Sequence, residues 1–152
     1  MSKITGLVDE LRNLIKNTLT TRATRELKNP IDILSNDWPS LDGGFGLDIS
    51  TASNTFRQVG CNFSIARTFN ITLTNMVKSI HNDVDSRFTT EKTLLEDHYT
   101  LIKELEKNET LAGYYTKLDY LGDSGIIHVD EGKKNFLMIQ LQISIEYFVI
   151  VS

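Results

Sequence analysis

From Leu137 to Val151 every odd position is apolar (Leu137, Ile139, Leu141, Ile143, Ile145, Tyr147, Val149, Val151), and Gln140, Gln142, Ser144 and Glu146 fall between them. A period of two collects the polar residues on one face of an extended chain, whereas a helix would scatter them, so the run predicts a long, half-buried β-strand. It is too short and too often interrupted for a membrane helix, which needs about 18 or more apolar residues. The same alternation runs through Val59, Cys61, Phe63, Ile65, Phe69, Ile71 and Leu73. Arg67 breaks that series. It must emerge at the sheet edge or meet a carboxylate, because a buried unpaired charge costs several kcal/mol; a role between subunits is the alternative. Phe45 to about Thr51 is a candidate first strand.

Two segments follow the helical period instead. Ile4, Leu7, Val8, Leu11, Leu14, Ile15 and Leu19 recur at three-and-four spacing, predicting an amphipathic helix over 3–19. Val84, Phe88, Leu94, Leu95, His98, Leu101, Ile102 and Leu105 predict a second over 83–108, with Asn82 or Asp83 as its cap. The short run Ile126–Val129, between "LGDSG" and "DEGKKN", reads as one arm of a hairpin completed by the last strand. Residues 20–46 lose all periodicity. The clusters "KNP", "NDWPS" and "LDGG" mark turns there, Pro39 argues against a helix, and the connection is expected to be poorly ordered until it docks on something.

The fold class is therefore α+β, a mainly antiparallel sheet with two principal helices. At 152 residues, 40% of them hydrophobic, the chain is expected to form one domain with a substantial core. A net charge of -4 gives no general attraction to nucleic acid or anionic membranes. The charge is segregated: residues 1–28 hold six basic and three acidic side chains, and 83–109 hold eight acidic and four basic. Solvated helix faces account for this, as does contact between copies of the chain through opposite charge. Arg12, Lys16, Arg22, Arg25, Arg67, Glu91, Asp97 and Glu104 are the candidate intersubunit or docking contacts. The start "MSKITGLVDELRN" has no signal-like apolar core, so synthesis and retention in the cytosol are expected.

Candidate chemistry is sparse. One cysteine, Cys61, excludes an intramolecular disulfide and a Cys-rich zinc site. "LDGGFGLD" leads into a strand rather than a helix, so it reads as a turn and not a phosphate loop. His81, Asp83 and Asp85 suit a helix entry as well as a metal site. His98 and His128 have no nucleophile or acid partner at a recognisable spacing, and read as structural. No catalytic, cofactor or metal residues are predicted.

The order helix, long connection, alternating strands, acidic helix and closing hairpin, with "CNFSIARTFNITLTN" and "GIIHVDEGKKNFLMIQLQISIEYFVIVS", resembles the tail terminator (tail completion) proteins of bacteriophages with long, non-contractile tails. The resemblance covers most of the chain, and the extended 20–46 connection departs from it. It implies a non-enzymatic virion protein that forms a homo-oligomeric, hexameric ring. Such a ring caps the tail tube protein and offers its other face to the head-connector protein, assembling in the host cytoplasm. DNA passes through the ring without sequence-specific binding, and no membrane is involved. A regulatory α+β domain that binds a small molecule, or another head–tail connector component, fits the same pattern.

Overall fold

The computed structural model describes residues 3–59, 62–77, 84–107, 113, 117–131 and 134–150. Helix α1 spans Lys3–Thr18. Short 3-10 turns follow at Thr20–Arg22 and Ile33–Ser35, then the four-residue helix α2 at Trp38–Leu41. Strands β1 (Gly44–Val59) and β2 (Asn62–Met76) precede the long helix α3 (Val84–Lys107). Strands β3 (Lys117–Asp123), β4 (Ile127–Glu131) and β5 (Lys134–Ile150) complete the fold. All strands belong to one antiparallel sheet in the order β1-β2-β5-β3, with β4 also paired to β5. The class is α+β, with α1 and α3 as its two main helices.

Alternation places the odd positions of β2 and β5 on the helix side. Leu137, Ile139, Leu141, Ile143, Ile145 and Tyr147 of β5 are buried, as are Phe69, Ile71 and Leu73 of β2. The register aligns them in rows across the strands, Ile139–Leu73–Phe45, Leu141–Ile71–Leu47 and Ile143–Phe69, the last ending at exposed Ile49 of β1. Leu7, Leu11, Leu14 and Ile15 of α1 and Leu94, Leu101 and Leu105 of α3 close over these rows as one core. Each buried aliphatic side chain there is worth about 1.5–3 kcal/mol.

The opposite face is where the structure departs from expectation. Residues 20–46 are anchored rather than shapeless, and Leu27, Ile33 and Leu41 pack with Met76 and Phe136 into a second core. Phe136 and Met76 are direct cross-strand partners at even positions, so this core lies on the reverse side of the sheet from α1 and α3. Backbone bonds fix the segment as a short parallel addition to β1: the Leu27 N–H donates to Phe45 O (2.7 Å), and the Phe45 N–H donates to Arg25 O (3.1 Å). Asn29 accepts from the Asp32 N–H (2.9 Å), while buried Asn36 donates to the carbonyls of Asn29 (2.8 Å) and Ile33 (2.9 Å). The asparagines thus supply the bonding that a regular element would otherwise provide. Lys134 of β5 reaches over to donate to Asn36 O (2.9 Å).

Pro39 does not prevent helix α2. It stands in the first turn, after Asp37, where a missing N–H removes no helical bond. The glycines of "GGFG" also have a packing reason. A Cβ on Gly44 would lie 2.0 Å from Ser40 O, and one on Gly46 would lie 3.0 Å from the Pro30 Cβ. Both belong to β1, and their lack of a side chain lets the connection lie on the strand. Further boundaries shift. β1 runs on to Val59, beyond the expected Thr51, and β2 begins at Asn62. Strand β3 was not expected at all.

Candidate functional site

Of the eight residues singled out by charge, most meet a partner within the chain. Arg12 makes a two-pronged pair with Glu26, with Nε and Nη2 each 2.7 Å from a carboxylate oxygen, and Lys16 lies 3.9 Å from the same carboxylate. The hydrogen bond and charge of Glu26 draw the Arg12 pKa up, and Arg12 in turn holds the Glu26 carboxyl below the usual carboxylate range. Glu91 pairs with Arg87 one turn away at 3.0 Å, and Glu104 with Lys107 at 3.7 Å, as exposed helix neighbours do. Arg25 is exposed, its guanidinium at the Asp42 carbonyl.

Arg22 and Asp97 belong to the interior. Arg22 is 1% exposed, yet carries a guanidinium. Its Nε donates to Asp97 (2.9 Å), and its Nη1 donates to the carbonyls of Gly44 (2.9 Å) and Thr74 (2.8 Å). One side chain therefore ties the start of the connection to α3, β1 and β2. Burial lowers its pKa against the opposing pull of Asp97, but a guanidinium stays charged throughout the physiological range. The basic first segment and the acidic helix are thus complementary inside one subunit, at least through this pair.

Arg67 stands on the interior strand β2 rather than at the sheet edge, and among the described residues it meets no carboxylate. Half-buried, it donates from Nε to the Tyr147 hydroxyl (3.0 Å) and from Nη1 to Ser50 O (3.0 Å). Tyr147, the aromatic near the end of β5, supplies the oxygen that an apolar residue at that place would lack. Arg25, Glu104 and the solvent side of the Arg12–Lys16–Glu26 group remain on the surface.

Helix α3 has a second apolar row. Beside the buried Leu94, Leu101 and Leu105, it exposes Val84, Phe88, Leu95 and Tyr99, the last 62% accessible. At 100° per residue these four fall within about 60° of one another on the wheel. Leu121 of β3 is also exposed. Among the described residues this second row lies outside the buried core, and grouped exposed apolar residues mark contact surfaces.

The polar cluster of α3 and β3 was not legible from spacing. His98 Nε2 is 3.1 Å from the Tyr120 hydroxyl, which donates to Asp123 Oδ2 at 3.0 Å; His98 and Asp123 are 3.5 Å apart. Positions 120 and 123 would face opposite ways on a regular strand. A bulge corrects this: the register jumps from Tyr120↔Ile143 to Gly122↔Gln142 and Asp123↔Leu141, so both side chains turn to the helix side. Gly122 (φ 125°) and Gly125 (φ 72°) supply the backbone conformations, and the Gly125 N–H bonds Asp123 Oδ1 at 2.7 Å. That backbone bond holds the Asp123 carboxyl below its usual range. Desolvation first, then the bond to Asp123, pushes Tyr120 up to about 12. The one advance signal was "LGDSG", read only as a turn.

A small cleft lined by Ile102, Leu105, Glu106, Leu118, Tyr120 and Ile143 adjoins the cluster. His128, on β4, is exposed and touches Asn135. His81, Asp83, the Asn82/Asp83 cap and Cys61 lie outside the described residues. Among the described residues no group of three or more His, Cys, Asp or Glu side chains is placed to hold a metal ion. No helix among them is long and apolar enough to cross a membrane. No protein-family model matches this chain, and no curated protein matches it.

Proposed function

We propose that the protein is a structural virion component that closes a bacteriophage tail tube as a homo-oligomeric, hexameric ring, ends tube polymerisation and provides the surface for joining the head. The observation that carries this reading is the exposed row Val84, Phe88, Leu95 and Tyr99 on α3, an apolar surface outside the core that the described residues form. The α+β order that suggested the resemblance is a second support. A closed ring needs two different complementary surfaces on each subunit. The outer side of α3 is one. The other is the basic side of α1 and the turn after it, where exposed Arg25 and Lys28 adjoin the Arg12–Lys16–Glu26 group. In this reading the partners are further copies of the chain, the tail tube protein and the head-connector protein; DNA passes through without sequence readout, and no cofactor is required.

Electron microscopy of particles assembled without the protein tests the proposal. Tubes of abnormal length, or tails unattached to heads, are expected. Tails of normal length joined to heads would overturn it. A Leu95→Glu variant separates surface from fold: it is expected to keep wild-type denaturation and lose assembly.

A further inference from the structure

The sheet has two open edges, and they lie on the two surfaces assigned above to neighbouring copies. β1 is the edge on the α1 side, where Glu26, the partner of Arg12 and Lys16, bridges to Phe45. β3 is the edge on the α3 side, where Tyr120 meets His98. Among the described residues no backbone bond reaches the outer side of β1 beyond Phe45, or the outer side of β3. We propose that the open edge of β1 in one copy pairs antiparallel with the open edge of β3 in the next, Ala52 opposite Tyr120 and Asn54 opposite Leu118, so that the sheet runs on from subunit to subunit. This rests on the ring reading and names the contact that closes the ring.

The register fixes which backbone groups are free. The N–H and C=O of Phe45 both point outward, to Arg25 and Leu27. An antiparallel strand alternates, so Gly46 and Asp48 bond inward to β2 while Leu47 and Ile49 point out. β2 carries the alternation past the bulge: its odd residues turn to β5, and Ala52 and Asn54, opposite Arg67 and Ile65, therefore point outward again. The odd residues of β5 are engaged by β2, so Ser144 and Glu146 bond to Asp119 and Lys117. That leaves the N–H and C=O of Leu118 and Tyr120 pointing out. Both edges thus offer free backbone groups at the same spacing.

Direction and facing agree with this pairing. Every neighbour along β1-β2-β5-β3 is antiparallel, so β3 runs opposite to β1. A ring rotation about an axis along the strands keeps that sense and sets β3 antiparallel to the next β1. Paired residues share a face. Leu118 and Tyr120 stand on the helix side, and register positions 52 and 54, opposite Arg67 and Ile65, stand there too, so the helices of adjacent copies lie on one side of a continuous sheet. The edge is also unguarded. From Leu47 to Val59 it carries no proline and only the charges Asp48 and Arg57, and its bulges fall on either side of Ala52–Asn54. Charge selects the partner. The β1 side exposes Arg25 and Lys28, whereas 83–109 hold eight acidic and four basic side chains, so a second β1 would bring like charges together and β3 brings opposite ones.

In this register the exposed residues Ser53 and Asp119 of adjacent copies form a non-hydrogen-bonded pair, with Cα atoms about 4.5 Å apart, within disulfide reach. Oxidative cross-linking of Ser53→Cys/Asp119→Cys in a Cys61→Ser background tests this, on the concentrated intact chain and on tail-bearing particles. A reducible ladder of covalent multimers is expected, about tenfold or more above either single cysteine variant. Adding Ala52→Pro, which deletes an outward N–H and no internal bond, is expected to keep the urea midpoint and to lower the ladder about tenfold. Should the cysteine variant fail to fold, amide exchange of the wild-type chain serves instead: Ala52 and Tyr120 are expected to slow about tenfold or more on assembly. Unchanged exchange there, or no ladder from the folded double variant in either sample, would overturn the pairing, while abnormal tails in the protein's absence would still uphold the ring. A dimer from Ser53→Cys alone would overturn it in favour of a two-fold β1 contact. A ladder from a protein whose loss leaves tails normal would uphold the pairing and overturn the ring.

Discussion

The two faces of this sheet are closed by different means. On the odd face, two amphipathic helices lay regular apolar stripes over rows from three strands, and the core they share includes ten fully or nearly fully buried strand residues from Phe45 to Tyr147. On the even face, an aperiodic connection brings three widely separated residues, Leu27, Ile33 and Leu41, onto Met76 and Phe136. The first core is held by area. The second depends on asparagine bonds, on one buried arginine and on the absence of side chains at Gly44 and Gly46. Periodic burial tolerates local error because many residues share the load, whereas a few specific anchors do not.

The largest expected effect lies on the odd face. Ile143→Asp puts a charge among fully buried aliphatics and is expected to cost about 4 kcal/mol or more in urea denaturation. Ser144→Asp, one residue along and turned to the other face, is expected to cost under about 1 kcal/mol, mostly from the cross-strand Asp119. Similar losses at the two sites would break the assignment of faces.

Next is the buried tie. Arg22→Met removes the partner of Asp97 and one hydrogen bond from each of the Gly44 and Thr74 carbonyls, the latter keeping the Gly43 N–H at 3.0 Å, for an expected loss of about 3 kcal/mol. A loss near zero would mean that the connection is held without it. Gly44→Ala and Gly46→Ala sharpen the same contrast. The first meets the Ser40 carbonyl at 2.0 Å and is expected to cost about 2 kcal/mol or more; the second meets the movable Pro30 and Leu27 side chains and is expected to cost about 1 kcal/mol. The reverse order in thermal denaturation would contradict the packing of the connection on β1.

The smallest effect is at the surface. Arg12→Ala breaks an ion pair whose partners are 41% and 28% exposed, and after solvent screening it is expected to cost under about 1 kcal/mol, less at high salt. Because Arg12 lowers the Glu26 pKa, the pair's contribution is present above the ordinary glutamate value and fades as pH falls through the lowered one. A loss undiminished by salt would place the pair in a less solvated setting.

The same contrast explains what the sequence disclosed. The strands β2 and β5 and the helices α1 and α3 repeat their burial every 2 or 3.6 residues, and a repeated signal survives one exception such as Arg67. The connection has no period. Leu27, Ile33 and Leu41 look like stray apolar residues until the chain is folded, and the partners Arg22 and Asp97 stand 75 positions apart. Strand β3, "KLDYLGD", is an edge strand with mostly exposed residues and a bulge, so alternation fails where the His98 cluster is built. Charge segregation was visible; that part of it is satisfied inside the subunit was not.

Native-state hydrogen exchange on the isolated subunit tests the two-core description most directly. The Leu27 N–H, bonded to Phe45 O at 2.7 Å, and the Phe45 N–H, bonded to Arg25 O at 3.1 Å, report the even face. The amides of Phe69, Ile71 and Leu141 report the odd face. Strong protection at Leu27 and Phe45 before any assembly is expected, within about two to three orders of magnitude of the β2 and β5 amides, since sub-global openings span a range of free energies. Exchange of Leu27 at the rate of an unstructured peptide, with β2 and β5 still protected, would contradict it.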